Sequence, residues 1–274
     1  MWCHLEEKNM DAKDFYQTGQ LVNAIEAATA KVKKKPLDAN LRGFLTELLM
    51  INREWERADK QLDFVGHQDP GAMAGVALWR QLIRAGQARD QFFSEGRVPD
   101  VLEVPDELVQ IYLKASLSLR ENNLEEAKTL LDEAENIRPK LKGELNGLAF
   151  NDFRDLDDIA PGVLEVFTST GKYYWIPLSR VVSLTFFKPE NPIDLVLRRA
   201  HLQINEEGPD GEVYIPAIYH TLEEEDRENL LLGRATDWIG ADGDPILGIG
   251  QRMFLMDDEV KTVLEIEEIN FDQE

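Results

Sequence analysis

Five positions recur along the first half of the chain. Leu21, Ala24, Ala28, Lys31 and Pro36 return 34 residues later as Trp55, Ala58, Leu62, Val65 and Pro70. A further 69 residues on they return as Leu124, Ala127, Leu131, Ala134 and Pro139. Within each set the first four positions step by 3, 4 and 3, which places them on one face of a helix. Alanine in the second column lets a neighbouring helix approach closely. Proline in the last column cannot continue a helix and starts the next connection.

A 34-residue period with alanine and proline in these slots predicts tetratricopeptide-like pairs of antiparallel helices. Phe15 and Tyr16 lead to Gly19, a turn ahead of the second helix of the first pair. Leu41, Leu45 and Leu48 form the stripe of the next first helix, with Asn52-Arg53 in place of the glycine turn. Leu108, Ile111, Leu113, Leu117 and Leu119 precede Asn122-Asn123, which suits a left-handed turn followed by a helix cap. The stretch 71–105 reads as a degenerate unit: a helix over Met73–Phe93, then Ser94-Glu95-Gly96-Arg97-Val98-Pro99 as a loop in place of most of its second helix. Stacked units of this kind present a concave side. Asn40, Glu47, Met50, Trp79, Tyr112 and Ser116 fall there by register and are the candidate residues for docking a partner helix or peptide. For the apolar ones, filling the core is the competing role.

From about residue 150 the helical period fades. Val163–Thr168 and Lys172–Ile176 flank Ser169-Thr170-Gly171 and predict a β-hairpin. Further strands are expected over Val181–Phe187, Leu197–Ile204, Glu212–Ile218, Ile246–Phe254 and Val260–Ile269. Pro189, Pro192, Pro209, Pro216 and Pro245 punctuate them, with one short acidic helix over Leu222–Leu231. The fold expected is therefore multidomain α+β. A repeat domain over 1–145 precedes an acidic domain over 146–274, an SH3-like or similar small antiparallel barrel or sandwich, joined near Pro139–Gly147.

Charge separates the two parts as well. The chain carries 30 basic and 52 acidic residues, net −22. Residues up to 139 hold 18 basic against 24 acidic, and the remainder 12 against 28. Lys31, Lys33, Lys34 and Lys35 are the one dense basic run, so nucleic acid is not expected as the main partner. No stretch reaches the length of apolar sequence needed to span a bilayer. The opening Met1-Trp2-Cys3-His4-Leu5-Glu6-Glu7-Lys8 lacks the apolar centre of a signal peptide. With Cys3 as the single cysteine, a disulfide within the chain and a cysteine-based zinc site are both ruled out, and a cytoplasmic setting is expected.

Searches for chemistry return little. There is no phosphate-binding loop, no G-x-S-x-G and no H-E-x-x-H. Gly248-Ile249-Gly250 reads as a turn between strands rather than a dinucleotide fingerprint. His4, His67, His201 and His220 have no ligand-like spacing, and no cofactor is expected. The densest polar run is Asn151-Asp152-Phe153-Arg154-Asp155-Leu156-Asp157-Asp158. Its carboxylates Asp152, Asp155, Asp157 and Asp158 are expected to cap turns and pair with Arg154. A hard cation bound there would make the protein a metal-dependent hydrolase, the alternative reading. In Leu232-Gly233-Arg234-Ala235-Thr236-Asp237-Trp238, Trp238 is expected to pack the core, with Arg234 and Asp237 bonding locally beside Gly233 and Thr236.

These two motifs carry a resemblance. Preceded by a short helical-repeat region and separated by β-rich sequence, they resemble the ImpE (SciE, TagJ) accessory proteins of bacterial type VI secretion, over roughly Phe15 to Phe271. The resemblance implies a cytoplasmic, non-enzymatic component of a contractile injection machine, without cofactor or catalytic residues. It implies binding to the N-terminal helix of the small sheath subunit (TssB or VipA type) and a link to the AAA+ disassembly ATPase. A generic helical-repeat scaffold or chaperone is the remaining alternative.

Overall fold

The computed structural model describes residues 10–68, 70–205, 210–221 and 226–273. Cys3, His4, Pro209 and the first part of the helix expected over Leu222–Leu231 lie outside these residues. Among the described residues seven α-helices come first: α1 (Ala12–Gln17), α2 (Leu21–Lys34), α3 (Ala39–Ile51), α4 (Trp55–Gln68), α5 (Met73–Glu95), α6 (Glu107–Arg120) and α7 (Leu124–Ile137). Side-chain oxygens start several of them. Asp11 caps α1, Asp38 accepts from the Leu41 amide at 3.1 Å, and Asp106 accepts from the Val109 amide at 2.8 Å.

The repeated alanine column is where it has to be. Ala24, Ala58 and Ala127 are wholly buried in α2, α4 and α7, so the facing helix backbone can come close at each. The turns repeat as well. Gly19, Arg53 and Asn122 all take left-handed backbone, each two residues before its second helix. Glycine and asparagine adopt that conformation readily, whereas arginine does so only when something holds it.

Neighbouring helices pack in sequence order except at α5–α6, where contact is slight. α5 ends at Gly96 in a left-handed cap, and the chain runs on without a helix until α6. The exposed side of α5 is instead covered by strands of the second half.

Those strands are β1 (Gly143–Leu145), β2 (Leu148–Phe150), β3 (Phe153–Asp155), β4 (Val163–Thr168), β5 (Tyr173–Pro177), β6 (Val181–Phe186), β7 (Leu197–Ile204), β8 (Asp210–Pro216), β9 (Thr236–Ile239), β10 (Leu247–Gly250), β11 (Met253–Met256), β12 (Glu259–Thr262) and β13 (Glu268–Phe271). A short helix α8 (Arg227–Leu231) precedes β9. The hairpin expected around Gly171 is β4–β5, paired from Val163–Pro177 to Phe167–Tyr173. The two longest strand expectations each split: Ile246–Phe254 into β10 and β11, and Val260–Ile269 into β12 and β13.

Among the described residues no closed barrel forms. An eight-stranded antiparallel sheet runs β2-β1-β13-β6-β7-β8-β4-β5, with smaller sheets β12-β11-β3 and β10-β9 beside it. Closure is one way to protect an edge strand, and covering is another. Here the edge at β5 is covered by the loop after α5. The Asp100 amide donates to the Tyr173 carbonyl at 2.8 Å, and the Asp100 carbonyl accepts from the Trp175 amide at 3.0 Å.

Two cores result. Leu164 and Val166 of β4 point into a core built mainly by the strands and their connections. Val163 and Phe167, on the opposite face, join a larger core built with the helices. The strand-rich part is thus packed directly against the helical part. No helix among the described residues is long and apolar enough to cross a membrane.

Close approach of α4 and α5 depends on Gly86, where an added Cβ would stand 2.6 Å from the Trp55 ring. That ring cannot swing aside freely, because its Nε1 donates to Asp90 at 2.6 Å. Alanine would gain about 1 kcal/mol of helix propensity, yet overpacking costs about 1–3 kcal/mol. Gly86→Ala is therefore expected to lower the urea midpoint, and adding Trp55→Phe to restore part of the loss.

Candidate functional site

The two halves meet over a buried charge network. Glu165 sits on β4 between Val163 and Phe167, on the face turned to the helices. Arg89 of α5 grips it with two bonds, Nε to Oε1 and Nη2 to Oε2, both 2.8 Å. Arg252, between β10 and β11, pairs with the same carboxylate and reaches Asp155 at 3.3 Å. The Tyr173 hydroxyl donates to Glu165 at 2.5 Å and accepts from Trp175 Nε1 at 2.6 Å. All six side chains are buried. Burial alone would push the Glu165 carboxyl up, but Arg89 and Arg252 more than offset it and hold it far below the ordinary carboxylate range.

The segment Ile218–Tyr219–His220 is clamped to the helices along its backbone. Its three carbonyls accept from Arg89 at 3.1 Å, Arg53 Nη2 at 3.0 Å and Arg53 Nη1 at 2.9 Å. These bonds hold Arg53 in its left-handed turn. The His220 ring stacks on Phe93 at 4.2 Å and meets Asp90 at 3.2 Å. Burial, with Arg53 and Arg89 nearby, lowers its pKa to about 4 despite Asp90. The Tyr219 hydroxyl donates to Asp155 at 2.8 Å and accepts from the Met253 amide at 3.0 Å. Its ring lies so close to β10 that a Cβ on Gly248 would stand 2.4 Å from it. The glycine of Gly248-Ile249-Gly250 thus serves packing on a strand.

The acidic run is divided among separate partners. Asp152 pairs with Arg138 through two 2.8 Å bonds, and Asp155 with Arg252 and Tyr219. Asp157 accepts from the Ile159 amide at 2.7 Å and the Gly248 amide at 3.0 Å, while Asp158 accepts from the Ile246 amide at 2.8 Å. Arg154 pairs with none of them, contrary to expectation. It sits next to them in sequence, but its nearest bond is a 3.5 Å contact to the Asp155 carbonyl. Burial, with Asp155 close by, raises the Asp157 pKa to about 7. No three His, Cys, Asp or Glu side chains among the described residues are grouped to hold a metal ion.

The second motif also differs from its sequence reading. Trp238 is 36% exposed and packs at a tilt on Tyr219, with ring centroids 5.8 Å apart, rather than filling the core. Thr236 bonds to the Gln251 carbonyl at 2.8 Å, and Asp237 accepts from the Trp238 amide at 2.8 Å. Gly233 takes left-handed backbone at the end of α8. Arg234 reaches across the molecule instead of bonding locally, donating to the carbonyls of Tyr16 at 2.6 Å and Gln17 at 2.9 Å. Glu228 of α8 accepts from the amides of Leu21 and Val22, both at 3.1 Å, and so caps α2 where Gln20 does not. A cation at the end of α1 and an anion at the start of α2 both suit the helix dipoles.

Above this joint, the surface along the seam is hollowed. A first cleft of about 600 Å³ lies between α1, α2, α3 and the loop Glu190–Pro192. Asn40 and Glu47 line it. A second, of about 440 Å³, lies between α3, α5, β7, β8 and the far side of the same loop, with Met50 and Trp79 in its wall. Glu190 and Asn191 border both. Of the six docking candidates, Asn40 is exposed, Trp79 is half-buried, and Glu47 and Met50 are nearly covered at the cleft floors. Tyr112 and Ser116 are buried at 0% and 4% exposure and present no surface to a partner. Register placed them on the open side, but residues 159–163 cover that part of α6, with Gly162 against the Tyr112 hydroxyl.

Sequence reasoning missed Arg53, Arg89, Glu165, Tyr219 and Arg252. A usable signal was present for two of them. Glu165 interrupts an apolar strand, and Arg89 falls on the buried stripe Leu82, Gly86, Arg89 of α5.

Similarity to known proteins fits this architecture. Residues 147–270 match the family described as ImpE protein. The type VI secretion system accessory component TagJ of Pseudomonas aeruginosa strain PAO1 is 30% identical over 263 residues, covering 96% of this chain and 92% of TagJ. The crystal structure of protein VPA1032 from Vibrio parahaemolyticus superposes with a TM-score of 0.89 at 29% identity, covering 96% of this chain and 98% of that one.

Removing one member of a buried ionic group strands the others without their counter-charge, at about 3–5 kcal/mol. Glu165→Gln is expected to destabilise by that amount in urea unfolding, since two guanidiniums lose their carboxylate together.

Proposed function

The chain belongs to the ImpE (SciE, TagJ) family, and on that footing we propose that it is a non-enzymatic accessory component of a type VI secretion system. Its helical pairs act as a tetratricopeptide-like stack, and the clefts along the seam receive an amphipathic helix. The partner is the N-terminal helix of the small sheath subunit, of TssB or VipA type, with the AAA+ disassembly ATPase as the machine it serves. The observation that carries the docking role is the hollowed seam itself. Two clefts share Glu190 and Asn191 and set apolar walls (Leu41, Phe44, Leu78, Trp79, Tyr214) beside polar rims, which is the surface an amphipathic helix needs.

The reading as a metal-dependent hydrolase has less support. Each of Asp152, Asp155, Asp157 and Asp158 is already taken by an arginine, a tyrosine hydroxyl or backbone amides. A cation there would have to displace those bonds one by one.

With a net charge of −22, the protein speeds encounter with a helix rimmed by lysine or arginine and disfavours acidic competitors. Binding of the synthetic sheath helix to the full chain is expected to weaken with added salt but to survive it. Trp79→Ala and Phe44→Ala are each expected to lose about 1–2 kcal/mol of binding while far-UV circular dichroism stays native. Normal binding by both variants in calorimetry would move the docking site off this seam. The full chain is the right reagent, because the larger core draws on both halves.

A further inference from the structure

Glu47 is an unusual floor for a cleft. It is 8% exposed, and its one hydrogen bond is a long one, accepted from the Ile193 amide at 3.3 Å. No lysine, arginine or histidine among the described residues forms an ion pair with it. The cations nearby are engaged elsewhere or stand on the wall. Lys31 of α2 pairs with Asp11 at 3.0 Å, Arg234 is spent on the carbonyls of α1, and Lys13 lines the rim. The other groups that face Glu47 do not neutralise it: Tyr16 from α1, Glu190 from the loop, and Asp194 from the turn Pro192–Leu195, itself held by the amides of Glu190 and Asn191.

We propose that this cleft receives a lysine or arginine side chain from the apolar face of the docked helix, with the Glu47 carboxylate as its counter-ion. The inference rests on the docking reading above and specifies what the partner must carry. Apolar walls ending at one buried acid match a long alkyl stem that ends in a charge. A hydrated inorganic cation would instead require several oxygens around it, and only one carboxylate is buried here.

The acid–base state of Glu47 supports the same occupant. Burial raises its pKa to about 7, with the Ile193 amide opposing and Asp194 adding to the rise. Near neutral pH the empty cleft therefore holds its proton for a large share of the time. A cation arriving beside the carboxylate favours the ionised form and expels that proton. The sign follows: the partner binds the deprotonated form, so affinity falls as pH drops below about 7 and levels off above it.

The test is calorimetry of the full chain with the synthetic N-terminal helix of the small sheath subunit. Titrations in phosphate and in Tris at pH 7 report the protons released, and Kd is compared at pH 6 and pH 8. The expected result is proton release and a Kd roughly tenfold tighter at pH 8. Both are expected to disappear in Glu47→Gln, which keeps an oxygen for the Ile193 amide. Replacing the peptide's lysines and arginines singly by methionine is expected to find one that removes the pH dependence. Tight binding with no proton release, unchanged in Glu47→Gln, would overturn this inference and leave the docking reading standing. Failure of the peptide to bind at either pH would overturn the docking reading, and this inference with it.

Discussion

A carboxylate removed from water stays ionised only if positive charge is delivered to it in the right geometry. Glu165 meets that condition twice, through Arg89 from a helix and Arg252 from the strands. Neither arginine could be buried without the acid, and the acid could not be buried without them. Because the three come from distant parts of the chain, their mutual need fixes how the helical and strand regions are set against each other. Asp155, Tyr173, Trp175 and Tyr219 extend the constraint by hydrogen bonds, so the seam above is shaped by a rigid base. An apolar interface of the same area would tolerate sliding, whereas this one has a single register.

That base also bears on the stretch after α5, where the sequence pattern suggests a degenerate unit. Beside α5 lie β4 and β5, which bring Glu165 to Arg89. The loop after α5 gives β5 an edge partner at Asp100. What reads along the sequence as a damaged repeat is the socket for the strand region.

Much of this was open to inspection in the residues. The alanine columns, the turn positions at Gly19, Asn52-Arg53 and Asn122-Asn123, the broken unit after Phe93 and the β4–β5 hairpin all follow from local spacing and local sterics. The failures share one cause, long-range partnership. Arg154 was given to its sequence neighbours, but the chain supplies Arg138 and Arg252 to those acids instead. Arg234 was expected to bond nearby and reaches helix α1. Trp238 was placed inside because it is large and apolar, yet the space beneath it belongs to Tyr219. Tyr112 and Ser116 lost their open face to residues 159–163, which no helical period could reveal. Asn40, Glu47, Met50 and Trp79, expected from register to share an open side, line the two clefts. Their opposite wall, Glu190–Pro192, lies in a proline-marked loop, and nothing local ties that loop to α3.

Finally, the first helical hairpin is finished by residues far downstream. Glu228 supplies the cap that α2 lacks, and Arg234 satisfies the last carbonyls of α1. On the ribosome, at about 5–20 residues per second, roughly 10–40 s separate the synthesis of that hairpin from the arrival of its clasp. Until then α1 and α2 have frayed ends and an uncovered flank. For that interval the nascent hairpin lacks the partners that satisfy its helix ends. A stop codon before residue 234 would leave the chain's opening helices as vulnerable as its missing end.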